Sequence, residues 1–254
     1  MTEQPIIQVK NVHKSFGENH VLRGISLDLS AGDSLGIIGG SGTGKSVLIK
    51  CILGLLNADQ GEILINGVNI VNARLSQKEA LISSFGMMFQ GGALFDSMTV
   101  WENIAFSLIH NHGVKPAQAK EIAIEKLASV DMDAKMADIY PAELSGGMQK
   151  RVALARAIAT NPKVLFFDEP TAGLDPIVSG ITNELINRCL SNSGISALTI
   201  THDMHSLRQI CQKVGLLCKG QLVWFGTIEE LDKTDDPYVV QFINGYSHGP
   251  FTNG

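Results

Sequence analysis

The chain has 254 residues, of which 44% are hydrophobic and 18% charged, and its formal net charge is −5. That length accommodates one large domain, or a domain with a sub-domain, around a sizeable core. The acidic balance argues against a nucleic-acid binder, whose footprint is usually basic.

The first ten residues contain no basic segment followed by an apolar one, so no secretory signal is expected. No apolar run reaches the roughly 18 residues of a membrane span. The expectation is a soluble, intracellular chain without direct membrane insertion, any membrane role coming through partners. Cys51, Cys189, Cys211 and Cys218 lack C-x-x-C spacing and sit in apolar or helical contexts, so they are expected to be reduced, buried thiols.

Taken in chain order, strand-like alternation covers Ile6–Val9, Ile25–Leu29 and Ser34–Ile38, with turns at Phe16-Gly17 and Ala31-Gly32-Asp33. A glycine-rich loop and a helix to about Leu53 follow. Gly61–Ile65 reads as a strand ended by the turn Asn66-Gly67, and Phe85–Phe89 as a short apolar strand. From Val100 to Ala159 the pattern is helical, with Pro116–Val130 and Ser145–Thr160 the clearest elements. Strands return at Val164–Phe167 and Ala197–Ile200, with a helix over Pro176–Leu190 between them. Val214–Leu217 and Leu222–Phe225 are short strands before a helical end. Alternating strands and helices predict an α/β fold with a mostly parallel core sheet and a leading antiparallel part. Residues 92–158 interrupt the alternation as an inserted helical subdomain, between core segments 1–91 and 159–226, with a C-terminal helix and tail over 227–254.

The run Gly39, Gly40, Ser41, Gly42, Thr43, Gly44, Lys45, Ser46 fits G-x-x-x-x-G-K-[ST] between a strand and a helix. Its glycines allow backbone N–H groups to turn around β- and γ-phosphates, and the helix N-terminus adds partial positive charge. Lys45 supplies a full charge, and the Ser46 hydroxyl suits Mg²⁺. The apolar strand ending in Asp168 and Glu169 delivers carboxylates where α/β sheets place ligand chemistry. Asp168 would hold the metal shell, and Glu169 would orient and polarise the attacking water.

Leu144-Ser-Gly-Gly-Met-Gln149 adds a second anion site, a Ser145 cap with Gly146 and Gly147 at a helix start. With this motif the chain resembles the ATPase subunits of ABC transporters, from about Ile6 to about Phe225 and with the motifs in the family's order. The resemblance implies the P-loop NTPase fold and ATP with Mg²⁺. It also implies a two-fold homodimer in which Ser145, Gly146, Gly147 and Gln149 of one subunit close over the nucleotide held by the other. It further implies that Phe16 stacks on adenine, where Tyr is commoner. Gln90 would sense the γ-phosphate and Mg²⁺, Asp175 would lie in the loop that crosses the interface, and His202 would contact the γ-phosphate. Val47 stands where most importer ATPases have Thr, and Met148 where a polar residue is often found.

The stretch Phe89-Gln-Gly-Gly-Ala-Leu-Phe-Asp-Ser-Met-Thr-Val100, with Gly44-Lys-Ser-Val-Leu-Ile-Lys50, resembles the ATPases of Mla-type phospholipid transporters. That likeness implies a complex at the cytoplasmic face of a bacterial inner membrane. Its other members would be permease subunits, a periplasmic MCE-domain lipid-binding protein and a small STAS-domain subunit. In the family a permease helix docks near the glutamine loop, where Leu94 and Phe95 would serve as apolar anchors; packing inside the sub-domain core is the other reading. Asp236–Ile243 reads as a short amphipathic helix that contacts either a partner or its own domain. Two competing functions are an ABC ATPase for another substrate, such as an amino acid or metal chelate, and an ATP-driven clamp on nucleic acid. The negative charge and the lack of a coiled-coil insertion disfavour the clamp.

Overall fold

Strands and helices follow the hydrophobic pattern closely, and their order in the computed structural model, which describes residues 4–252, is as follows. The chain runs β1 (Ile7–Phe16), β2 (Asn19–Leu29), β3 (Ser34–Gly39), α1 (Lys45–Ile52), β4 (Gln60–Ile65), β5 (Val68–Asn69), α2 (Leu75–Ile82), β6 (Phe85–Met88), α3 (Val100–His110) and α4 (Pro116–Ser129). It continues through two short 3₁₀ turns to α5 (Gly146–Ile158), β7 (Val164–Asp168), α6 (Pro176–Ser193), β8 (Ser196–Ile200), α7 (Met204–Ile210), β9 (Lys213–Cys218), β10 (Gln221–Thr227), α8 (Ile228–Leu231) and α9 (Pro237–Asn244). Two compact units result, Met1–Ile82 with Leu198–Gly254, and Ser83–Ala197.

In the first unit an antiparallel sheet has the order β2-β1-β4-β5. β1 is central: Ile7 pairs with Leu29 and Ile65, and Val9 with Leu27 and Ile63, all of them buried. β1 runs on to Phe16, well beyond the expected Ile6–Val9. The register slips between Val9 and Val12, and Asn11 has φ 47°. A bulge of this kind breaks the period of two by which a strand is read. A second sheet places β10, β9, β3 and β8 side by side, with β3 parallel to β9. β3 is buried along its whole length, as strands covered on both faces are. Helix α2 is unexpected from the pattern; it is short and largely exposed, so no apolar stripe announces it. α9 packs on β10 and is capped by Asp236, which accepts from the N–H groups of Tyr238 and Val239.

In the second unit β6 and β7 pair in parallel, and the rings of Phe85 and Phe166 lie 5.2 Å apart. α3 packs on α4 and α5. α3 also fixes the loop before it through one fully buried side chain, Asn103. Its Oδ1 accepts from Phe95 N–H (2.7 Å), and its Nδ2 donates to the carbonyls of Phe95, Met98 and Thr99 at 3.0–3.1 Å. Asn103→Ala strands these loop groups in a buried setting, so a loss of about 2–3 kcal/mol of unfolding free energy is expected. Denaturant titration checks this, and a loss below about 0.5 kcal/mol, the range of ordinary surface substitutions, would contradict it.

All four cysteines are buried and free. Burial pushes the Cys51 thiol up to about 11 and the Cys211 thiol up to about 12, so both behave as core residues. Among the described residues no helix is long and apolar enough to cross a membrane.

Candidate functional site

The first unit carries the phosphate-type loop between β3 and α1. Its shape demands glycine at two points. Gly39 (φ 150°) would place a Cβ 2.4 Å from the carbonyl oxygen of Leu217, and Gly44 (φ 105°) one 2.9 Å from that of Val21. The loop folds back on its own lysine. Lys45 Nζ donates to the carbonyls of Gly39 (2.7 Å) and Gly40 (2.8 Å), and Thr43 Oγ1 also donates to Gly40 (2.9 Å). Ser41, Gly42 and Ser46 are exposed, Gly40 and Val47 half-buried. The first-turn N–H groups of α1 have no helical acceptors, so the loop and helix start together present donors to an anion.

Phe16 ends β1 with 49% of its surface exposed, and Lys14 Nζ lies 5.5 Å from its ring centroid. An exposed aromatic face of this kind suits stacking on a base. His202 is exposed and follows Thr201, whose N–H donates to Ile37 in β3 (3.4 Å).

The second unit holds the acids. Asp168 ends β7 and Glu169 follows, both half-buried. Glu169 has φ 50°, an unfavourable backbone for a non-glycine residue and one that clusters at functional sites. The structure brings a third charge to them that the sequence reading overlooked. Lys150 is 6% exposed, and its Nζ donates to the carbonyl of Gln90. Burial pulls the Lys150 pKa down, while the carboxylates of Glu169 and Asp168 pull it back up. The signal was present in the sequence, because Lys150 shares a helical face with Ala153, Leu154 and Ala157, all buried.

Ser145 caps α5 and accepts from Met148 N–H (3.3 Å). Gly146 and Gly147 open a cleft of about 580 Å³ lined also by Arg151, Gly173 and Asp175. Asp175 Oδ1 accepts from the N–H groups of Ile177 and Val178, both at 3.0 Å, so this carboxylate caps α6. Gln149, expected to face nucleotide, donates Nε2 to the carbonyl of Pro141 (2.9 Å) and braces the turn before Ser145.

Gln90 is exposed at the end of the β6 strand region. Beyond it Leu94 is half-buried, and Phe95, 42% exposed, rests on Phe106 with ring centroids 4.8 Å apart. Phe89 is similarly exposed. Among the described residues no group of three or more His, Cys, Asp or Glu is gathered to hold a metal by itself.

Residues 22–172 match the family model described as "ABC transporter". The chain is 38% identical over 246 residues to a "Probable ribonucleotide transport ATP-binding protein mkl" of Mycobacterium leprae, covering 96% of this chain and 70% of that protein. It is 36% identical over 249 residues to the "Intermembrane phospholipid transport system ATP-binding protein MlaF" of Haemophilus influenzae, covering 97% and 93%. Its fold matches the "Dimeric structure of a post-hydrolysis state of the ATP-binding cassette MJ0796 bound to ADP and Pi" with a TM-score of 0.79 and 27% identity, over 87% of this chain and 98% of that one.

Proposed function

The chain belongs to the ABC transporter ATP-binding family, and on that premise we propose that it is the ATP-hydrolysing subunit of a bacterial inner-membrane system that moves phospholipids between membranes. Membership carries the ATPase activity. The lipid assignment rests on the Phe89–Val100 wording and on likeness to a phospholipid-system ATPase along nearly the full length of both chains.

The roles divide by residue. The loop N–H groups and Lys45 bind the β- and γ-phosphates, and Phe16 stacks on adenine. The donors Ser46, Gln90 and Asp168 are hard oxygens that suit Mg²⁺. An ion held by them would supply positive charge to the transferring phosphoryl group. Glu169 orients and polarises the attacking water, and His202 steadies the γ-phosphate. Ser145, Gly146 and Gly147 close over the nucleotide of a second copy across a two-fold axis, with Asp175 shaping the crossing loop. Residues 92–158 form the helical subdomain. Exposed Phe95, with exposed Phe89 just before this segment, offers an apolar face suited to a permease helix.

The test is to extract the tagged chain gently from its native membranes and identify what accompanies it by mass spectrometry. A permease, an MCE-domain protein and bound phospholipid are expected, with a STAS-domain subunit as a further component. A permease with a soluble binding protein and no enriched lipid overturns the lipid assignment and leaves the ATPase intact.

A further inference from the structure

Helix α5 starts at the Ser145–Gly147 turn, and two of its cations reach the same short loop. Lys150 Nζ donates to the carbonyl of Gln90. Arg156 donates to the carbonyls of Gly92 (2.5 Å) and Ala93 (2.7 Å). The loop is itself a tight turn, since Gly92 N–H donates to Phe89 (2.8 Å), and Ala93 sits at φ 48°. Its carbonyls are thus gripped at both ends by one helix.

A packing role alone does not call for these side chains. Burying an ammonium costs several kcal/mol that its partners must offset. What lysine adds is a charge-assisted bond to a carbonyl, stronger than a neutral one, and a positive charge in the field of Asp168 and Glu169. Glutamine is one bond shorter and uncharged, so it offers at most a weaker, neutral bond, and methionine offers none.

We propose that Lys150 is a positioning residue for hydrolysis: with Arg156 it ties the Gln90–Ala93 loop to α5, so that loop and helix respond to nucleotide as one body. This rests on the roles given above to Gln90 and Glu169. The helix that offers its N-terminus to one phosphate then carries, along its length, the restraint on the loop that senses another. Neither cation need touch the nucleotide.

The experiment is steady-state ATP hydrolysis by the full chain for Lys150→Met, Lys150→Gln and Lys150→Arg, with Glu169→Gln and melting curves alongside. Lys150→Met is expected to lower kcat about tenfold or more, since misplacing a reacting group by an ångström costs up to about 100-fold. KM for ATP should stay within about threefold, because the phosphate loop is untouched. Any fall in melting temperature should not track the loss of kcat across the three variants. Lys150→Arg should restore most of kcat. If Lys150→Met does not fold, Lys150→Gln carries the same expectation. A folded Met or Gln variant with kcat within twofold of the unaltered protein overturns the proposal. So does a loss that arginine does not rescue and that tracks a drop in melting temperature, which would mark a structural role. Turnover surviving in Glu169→Gln would instead sink the catalytic assignment of Glu169, so the two failures are separable.

Discussion

Glu169→Gln is expected to cut ATP turnover by about 10²–10⁴-fold, the usual worth of a positioned base, while ATP still binds. The substitution keeps the shape of the side chain and replaces its charge with an amide that cannot take a proton. The backbone at Glu169 is held at φ 50°, so the amide inherits the same position at the end of β7 instead of relaxing away. The proposed binding loop is untouched: Lys45 and its neighbours lie elsewhere in the sequence and make their own hydrogen bonds. A chain that binds ATP without cleaving it should therefore collect in the ATP-closed dimer. Gel filtration with Mg²⁺-ATP should show a dimer for Glu169→Gln that ADP does not support. Near-normal turnover in this variant would remove Glu169 from the reaction. Hydrolysis lost without any ATP-dependent dimer would instead break the link between closure and the γ-phosphate.

The parts of this site that could be read in advance are those written as contiguous runs. Gly39–Ser46 declares itself because each residue type has a local job: glycines at Gly39 and Gly44 where a Cβ would strike backbone, and a lysine that reaches back onto the same loop. The apolar run before Asp168 and the Ser145 cap are local in the same sense. The parts that escaped are long-range or irregular. Lys150 meets Gln90 across 60 residues, and no spacing rule links them. The continuation of β1 was hidden by the bulge at Asn11, which reverses the inward and outward faces that alternation depends on. Asn103 looked like one more polar residue on a helix, yet it carries four hydrogen bonds to the loop that ends in Thr99. Asp175 and Gln149 show the converse. Each was singled out by its motif, and the structure gives each a helix cap or turn brace that motif reading does not foresee. Local chemistry is legible in sequence when the partner is a neighbour, and opaque when folding supplies the partner.

Gly146→Asp offers a case in which fold stability and function should move in opposite directions. A Cβ at Gly146 meets nothing within 4 Å, and its backbone is not in the left-handed region, so aspartate fits without strain. At the first turn of α5 a carboxylate interacts favourably with the helix dipole, worth about 0.3–1 kcal/mol. The variant should melt no lower than the unaltered chain. The same carboxylate would face the γ-phosphate that this turn is proposed to receive. Two like charges about 4 Å apart in an effective permittivity of about 20 repel by about 4 kcal/mol, which is about three decades of rate. Turnover is accordingly expected to fall about 10³-fold, while Gly146→Ala, which adds volume without charge, stays within a few-fold. Because the turn is proposed to serve the nucleotide on a partner copy, a fluorescent ATP analogue should bind Gly146→Asp normally at its own phosphate loop. Binding lost together with hydrolysis would place the turn on the same nucleotide as Lys45 and refute the composite site. Hydrolysis retained in Gly146→Asp would remove the turn from the nucleotide altogether.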